Sequence, residues 1–213
     1  IKRFTLSGGV ACNIYLRERF GNSKDFECYL PALALALTLP DICGSIEYPD
    51  YINKKGNRLV GKQYKAWFDE WVNQYYADPS GWTDDFKQAK KPYFDGKMCY
   101  NLRCSFLHSG NSDIDDFSEK EDEENIYSYQ FVLCINGCDS IGTLWESPQV
   151  NVSKTLKLKT VRIDLVSLCE NLLLAAEEYY NHKGRESFIE HTIEVIDILK
   201  TTQKIQDLNN QQY

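Results

Sequence analysis

Between Gly61 and Tyr76 the chain places Tyr64, Trp67, Phe68, Trp71, Val72 and Tyr75 at i, i+3, i+4, i+7, i+8 and i+11. That spacing gathers side chains on one face of an α-helix. A half-buried strand would alternate instead, and a loop would show no period. The segment therefore reads as a helix with one face in a core, and its aromatic stripe reads as packing rather than as a ligand site.

The same period recurs on both sides. Phe26–Ile46 reads as a buried helix, with Leu30, Leu33, Leu37 and Ile42 set among alanines and Pro49 preventing its continuation. Asp50–Leu59 reads as a polar loop containing Gly56, and Asp78–Gly81 as a turn. A third helix is expected from Thr83, interrupted at Pro92 and resumed over Phe94–Leu107, with Gly110 as its stop. Leu165–Tyr180, capped by Asp164 and broken by Gly184, and then Glu186–Lys200 are expected to close the fold. Tyr127–Ile135 and Leu156–Ile163 have strand character and, with Gly137 and Gly142 between them, are expected to form a small antiparallel pair. The sum is a mainly α chain: one helical-bundle domain over 1–200 with a small antiparallel β element, then a frayed polar tail over 201–213.

No uninterrupted apolar run approaches the ~18 residues that mark a transmembrane helix. The best candidate, Leu30–Leu39, contains Pro31. Ile1 reads as a trimmed or internal start, with no signal-peptide pattern after it. These features lead to the expectation of a cytoplasmic chain with no membrane partner.

Charge separates one segment from the rest. The 213 residues carry 24 Lys and Arg against 31 Asp and Glu, a formal charge of −7. Between Asp113 and Glu124 lie eight acids and the single base Lys120, so this segment alone carries −7. A nucleic-acid partner is thus not excluded by the total, because the excess is local. The run reads as a solvated acidic loop, as a shield over a basic site, or as a dock for a cationic partner. It lacks the order of acids and the central glycine of an EF-hand.

Eight cysteines, at 12, 28, 43, 99, 104, 134, 138 and 169, read as reduced thiols, since Cys43 and Cys169 fall within apolar helical patterns. Cys99, Cys104, Cys134 and Cys138 are the only set to consider for zinc, but neither pair has the tight spacing of a zinc knuckle. No metal and no cofactor is expected. The sequence also has no glycine-rich phosphate loop, no nucleophile elbow and no zinc-protease helix.

Of the three histidines, His182 and His191 sit in charged or helix-terminal surroundings and read as surface residues. His108 stands in the run Tyr100-Asn101-Leu102-Arg103-Cys104-Ser105-Phe106-Leu107-His108-Ser109-Gly110. Five residues on an ideal α-helix span about 500°, which leaves Arg103 and His108 about 140° apart in azimuth. They share a face only if the helix tightens, distorts or ends near His108. The Arg103-x4-His108 spacing at the end of an apolar helix resembles the signature of the HEPN superfamily, helical domains found in prokaryotic toxins, CRISPR-associated nucleases and abortive-infection proteins. The resemblance implies metal-independent RNA cleavage, with His108 as general acid/base and Arg103 as the cation on the developing phosphorane charge. Asn101 and Ser109 are candidate supporting groups. It further implies a homodimer, with RNA and a cognate antitoxin or other protein as partners. Cys104 stands where the family's nucleases commonly carry a polar residue, which favours the alternative of a non-catalytic HEPN-like binding or scaffold module.

Overall fold

The computed structural model describes residues 29–78, 80–84, 88–110, 120–121, 125–148, 155–191, 198 and 202. Its α-helices are α1 (Tyr29–Ala36), α2 (Leu39–Glu47), α3 (Val60–Trp71), α4 (Gly96–Cys104) and α5 (Leu165–Lys183). Its strands are β1 (Lys120–Glu121), β2 (Asn125–Cys134), β3 (Ser140–Pro148) and β4 (Thr155–Asp164). The architecture is mainly α with a small mixed sheet.

The aromatic face of α3 lies at the centre of the core. Tyr64, Trp67 and Phe68 are fully buried, and the ring of Tyr179 on α5 meets Trp67 and Trp71 edge-on at 5.8 and 5.2 Å. Each such ring contributes about 2 kcal/mol through removal from water. Two close backbone approaches hold α3 between its neighbours. A Cβ on Gly44 of α2 would stand 2.6 Å from the Gln63 carbonyl oxygen, and one on Gly96 of α4 would stand 2.5 Å from that of Lys65. Only glycine fits at such separations.

The helix expected over Phe26–Ile46 is two helices. The described part breaks at Thr38, whose hydroxyl donates to Leu35 O at 2.7 Å. Pro40 causes the break, because a proline lacks the N–H that would continue the ladder and its ring crowds the preceding turn. Taken together, Tyr29–Glu47 is 19 residues long and apolar enough by composition to cross a membrane. In this fold Ala32, Leu33, Ala36 and Leu37 are instead packed into the core.

No helix starts at Thr83. Thr83 N–H donates to Gln88 O and Lys90 N–H to Gly81 O, so the described part of this stretch is a loop folded back on itself. The helix starts at Gly96, where the Asp95 carboxylate accepts the Met98 N–H at 2.9 Å as an N-cap. It runs as α-helix to Cys104 and then as a single π-turn over Ser105–Ser109, closed by Gly110 at φ 66°.

The sheet also departs from expectation. β2 and β4 pair in parallel from Asn125↔Thr155 to Cys134↔Asp164, and the strand order is β1-β2-β4-β3. The reason is β3, which sequence alternation does not announce because Gly142, Ser147 and Pro148 interrupt it. β3 runs back antiparallel to β4, so β4 enters the sheet in the direction of β2 and lies between its two predecessors. Asp164 then caps α5 as expected, accepting Ser167 N–H at 2.9 Å, and it also accepts Gly137 N–H at 3.2 Å. Gly184, at φ 78°, ends α5.

Of Glu186–Lys200, the described residues up to His191 lie in a 3-10 turn, Arg185–His191, and Ile198 is helical. The tail 201–213 lies outside the described residues except for Thr202. In the acidic run 113–124, Lys120 and Glu121 pair with Tyr127 and Ile126 as β1, and the other residues lie outside the description.

Candidate functional site

The π-turn resolves the azimuthal conflict between Arg103 and His108. In an i→i+5 turn the backbone widens, so residues five apart stack much as residues four apart do in an α-helix. Arg103 Nη1 and His108 Nε2 accordingly lie 3.3 Å apart. Arginine has only donors, so this contact requires an unprotonated Nε2 on His108 with its lone pair facing the guanidinium. The imidazole itself is exposed at the end of the helix.

A carboxylate anchors the pair from behind. Arg103 Nη2 donates to Asp41 Oδ2 at 3.4 Å, and Arg58 Nη2 donates to Asp41 Oδ1 at 3.0 Å. Asp41 lies in the first turn of α2, where the helix dipole favours a negative charge. Arg58 is fixed further by its Nε donating to Gln63 Oε1 at 2.9 Å, and Gln63 Nε2 donates to Tyr48 O at 2.7 Å. The chain of contacts runs His108–Arg103–Asp41–Arg58–Gln63. One carboxylate against two guanidiniums leaves a net positive site.

Arg103 keeps spare donor capacity. Its Nε is buried without a hydrogen-bond partner among the described residues, and its side chain is 19% exposed. Cys104 lies beside Tyr100, whose pKa is raised by burial first and by the neighbouring thiol second. Tyr100 in turn packs edge-on to Tyr64 at 5.3 Å.

The other two candidate residues do not join the pair. Asn101, two residues before Arg103, lies about 200° around α4 from it. Its Nδ2 is buried without a partner among the described residues. Ser109 ends the π-turn and is exposed. Sequence reasoning misses Asp41 and Arg58, because they stand 62 and 45 positions before Arg103 and no local motif marks them. The four cysteines considered for zinc are likewise scattered in environment. Cys99 is fully buried against the Tyr64 hydroxyl at 3.3 Å, while Cys138 is exposed. Among the described residues no group of three or more His, Cys, Asp or Glu side chains converges. His182 lies beside Trp71, with ring centroids 5.5 Å apart, and both it and His191 are exposed.

Comparison with known proteins yields one segment. A stretch of 72 residues is 91% identical to part of a protein of Brachyspira hyodysenteriae named tRNA N6-adenosine threonylcarbamoyltransferase. The match takes in 30% of this chain and 21% of that protein, so the chain spans about a fifth of the length of this curated relative. No protein-family model and no solved structure matches the chain.

Proposed function

We propose that the chain is a HEPN-like domain that cleaves RNA without a metal, using Arg103 and His108. The observation that carries this reading is the 3.3 Å contact between Arg103 Nη1 and His108 Nε2 made across the π-turn. Once an arriving phosphate draws the Arg103 guanidinium off the Nε2 lone pair, His108 can take the proton of a ribose 2′-hydroxyl. The 2′-oxygen then attacks the adjacent phosphorus, the bond from phosphorus to the 5′-oxygen breaks, and that oxygen takes up a proton. The products are a 2′,3′-cyclic phosphate and a 5′-hydroxyl. Arg103, held by Asp41 and beside the histidine, stabilises the charge that builds on the phosphoryl oxygens. Two copies of the chain, paired through this end of the fold, would supply two such sites.

The test is incubation of wild type, Arg103→Ala and His108→Ala with single-stranded RNA, structured RNA and tRNA in EDTA. Transfer RNA is included because the 91% identical segment belongs to a protein named for acting on it. Cleavage by wild type alone, with cyclic-phosphate ends, is the expected result. If all three proteins leave every RNA equally intact, the RNase reading is lost.

A second reading, a non-catalytic HEPN-like binding module, is favoured by Cys104. Its thiol is used for packing against Tyr100 and gives the pair no additional polar group. RNA binding or protein association without cleavage distinguishes it.

A further inference from the structure

From Tyr51 to Lys65 the chain carries five basic residues, Lys54, Lys55, Arg58, Lys62 and Lys65, and no acid, in a protein whose total charge is −7. The first part of this stretch is an ordered hairpin. Asn53 N–H donates to Asn57 O at 2.8 Å, Gly56 N–H to Asn53 O at 2.9 Å, and Leu59 N–H to Tyr51 O at 2.8 Å. The Asn53 side-chain oxygen accepts the Lys55 and Asn57 amides at 2.8 and 3.0 Å, and Gly56 takes the left-handed turn at φ 80°. This places Lys54 and Lys55 on a fixed, exposed tip, and neither has an ion-pair partner among the described residues.

We propose that this hairpin, with Lys62, is the surface on which the RNA backbone docks beside the Arg103–His108 pair. The contact with Asp41 carries the inference. The same carboxylate that receives Arg103 on Oδ2 receives Arg58, the base of the hairpin, on Oδ1. A strand with one phosphate at Arg103 therefore has its next phosphates beside Arg58, half of whose side chain is exposed, and then the lysine tip. Tyr51 already packs against Lys62 Nζ, 3.9 Å from its centroid, and against the stacked ring of Tyr48 at 4.9 Å. The groups this surface offers are cationic donors suited to phosphate oxygens, so it is expected to bind the backbone and to be indifferent to base sequence.

This proposal rests on the RNase reading for the choice of ligand, but it is tested by binding alone, so the two fail separately. The probe is a fluorescent 2′-O-methyl RNA of about 12 nucleotides, which has no 2′-hydroxyl to cleave. Its affinity for the full chain is measured by anisotropy over a salt series. Each phosphate contact contributes a slope of about −0.7 in log affinity against log salt for a single strand. Lys54→Ala/Lys55→Ala is expected to flatten the slope by about 1.4 and to weaken binding about tenfold near physiological salt. Lys54→Arg/Lys55→Arg is expected to bind as wild type does. Lys90→Ala/Lys91→Ala, an equal change of charge at exposed lysines elsewhere, is the control. The proposal is overturned if wild type does not bind the probe, or if the two alanine pairs behave alike. It is also overturned if polyglutamate of equal charge competes as well as RNA does, since the surface would then be one for acidic protein. Probe binding by this surface with no cleavage of unmodified RNA removes the RNase reading and leaves the docking surface standing.

Discussion

Arg103 on α4 and Asp41 on α2 are 62 positions apart in sequence and joined at 3.4 Å, with both side chains largely withdrawn from water. Truncating the carboxylate leaves a half-buried guanidinium without its counter-charge. Asp41→Ala is therefore expected to lower stability by about 2 kcal/mol in urea unfolding. Arg58→Ala, which removes the more exposed partner at 46%, is expected to cost under about 1 kcal/mol. If the chain cleaves RNA as proposed, Asp41→Asn should reduce kcat more than it changes KM, because it loosens Arg103 without removing a group from the RNA-facing side. An equal loss in Asp41→Asn and Arg58→Ala would contradict this assignment.

The π-turn depends on its closing residue. Gly110 sits at φ 66°, and a Cβ added there would meet nothing within 4 Å, so only backbone strain opposes substitution. Gly110→Ala is expected to cost about 1 kcal/mol in thermal unfolding, and Gly110→Asn less.

The glycines that flank α3 respond to a different physical limit. At Gly96 and Gly44 an added methyl meets backbone oxygen, which cannot swing aside as a side chain can. Gly96→Ala and Gly44→Ala should each cost about 1–3 kcal/mol. Urea midpoints for these two variants unchanged from wild type would show that the helices separate more readily than the contacts imply.

Buried thiols make the fold sensitive to alkali. Burial pushes Cys99 and Cys169 up to about 12 from an ordinary 9.0, and it pushes Cys43 higher still. The unfolded chain loses these protons first, so between about pH 9 and 12 the native state holds more protons than the unfolded one. Stability is therefore expected to fall as pH rises through that window and to be insensitive to these groups below it. Thiol labelling under native, near-neutral conditions should reach exposed Cys138 well before Cys99 or Cys169.

The helices that bury one face were legible in the sequence. The period of α3 and the Asp164 cap of α5 each follow from residues within a few positions of one another. The break at Thr38 was legible in principle from Pro40, but the surrounding leucines and alanines conceal it. What could not be read locally was pairing. The branched residues of β2 and β4 announce strands but not their neighbours, and β3 hides behind Gly142 and Pro148. The candidate pair Arg103 and His108 was visible as a spacing, yet an α-helix would hold it apart. The turn that unites it depends on an uncommon backbone state with no residue signature. The basic hairpin was masked because residues 113–124 dominate the charge of the whole chain.

The sheet order has a consequence in time. Among the described strands β4 is the last synthesised, and it is the middle strand of β2-β4-β3. Until residue 164 is available, β2 and β3 are adjacent in sequence, antiparallel, and each without its proper neighbour. A direct hairpin between them is the nearest competitor of the native sheet, and closing that short loop is faster than waiting for the third strand. β4 must reach the site first or displace that hairpin. Because α5 begins at the residue after β4, insertion of the strand and docking of the helix that covers Trp67 and Trp71 become a single event, late on the path to the native state.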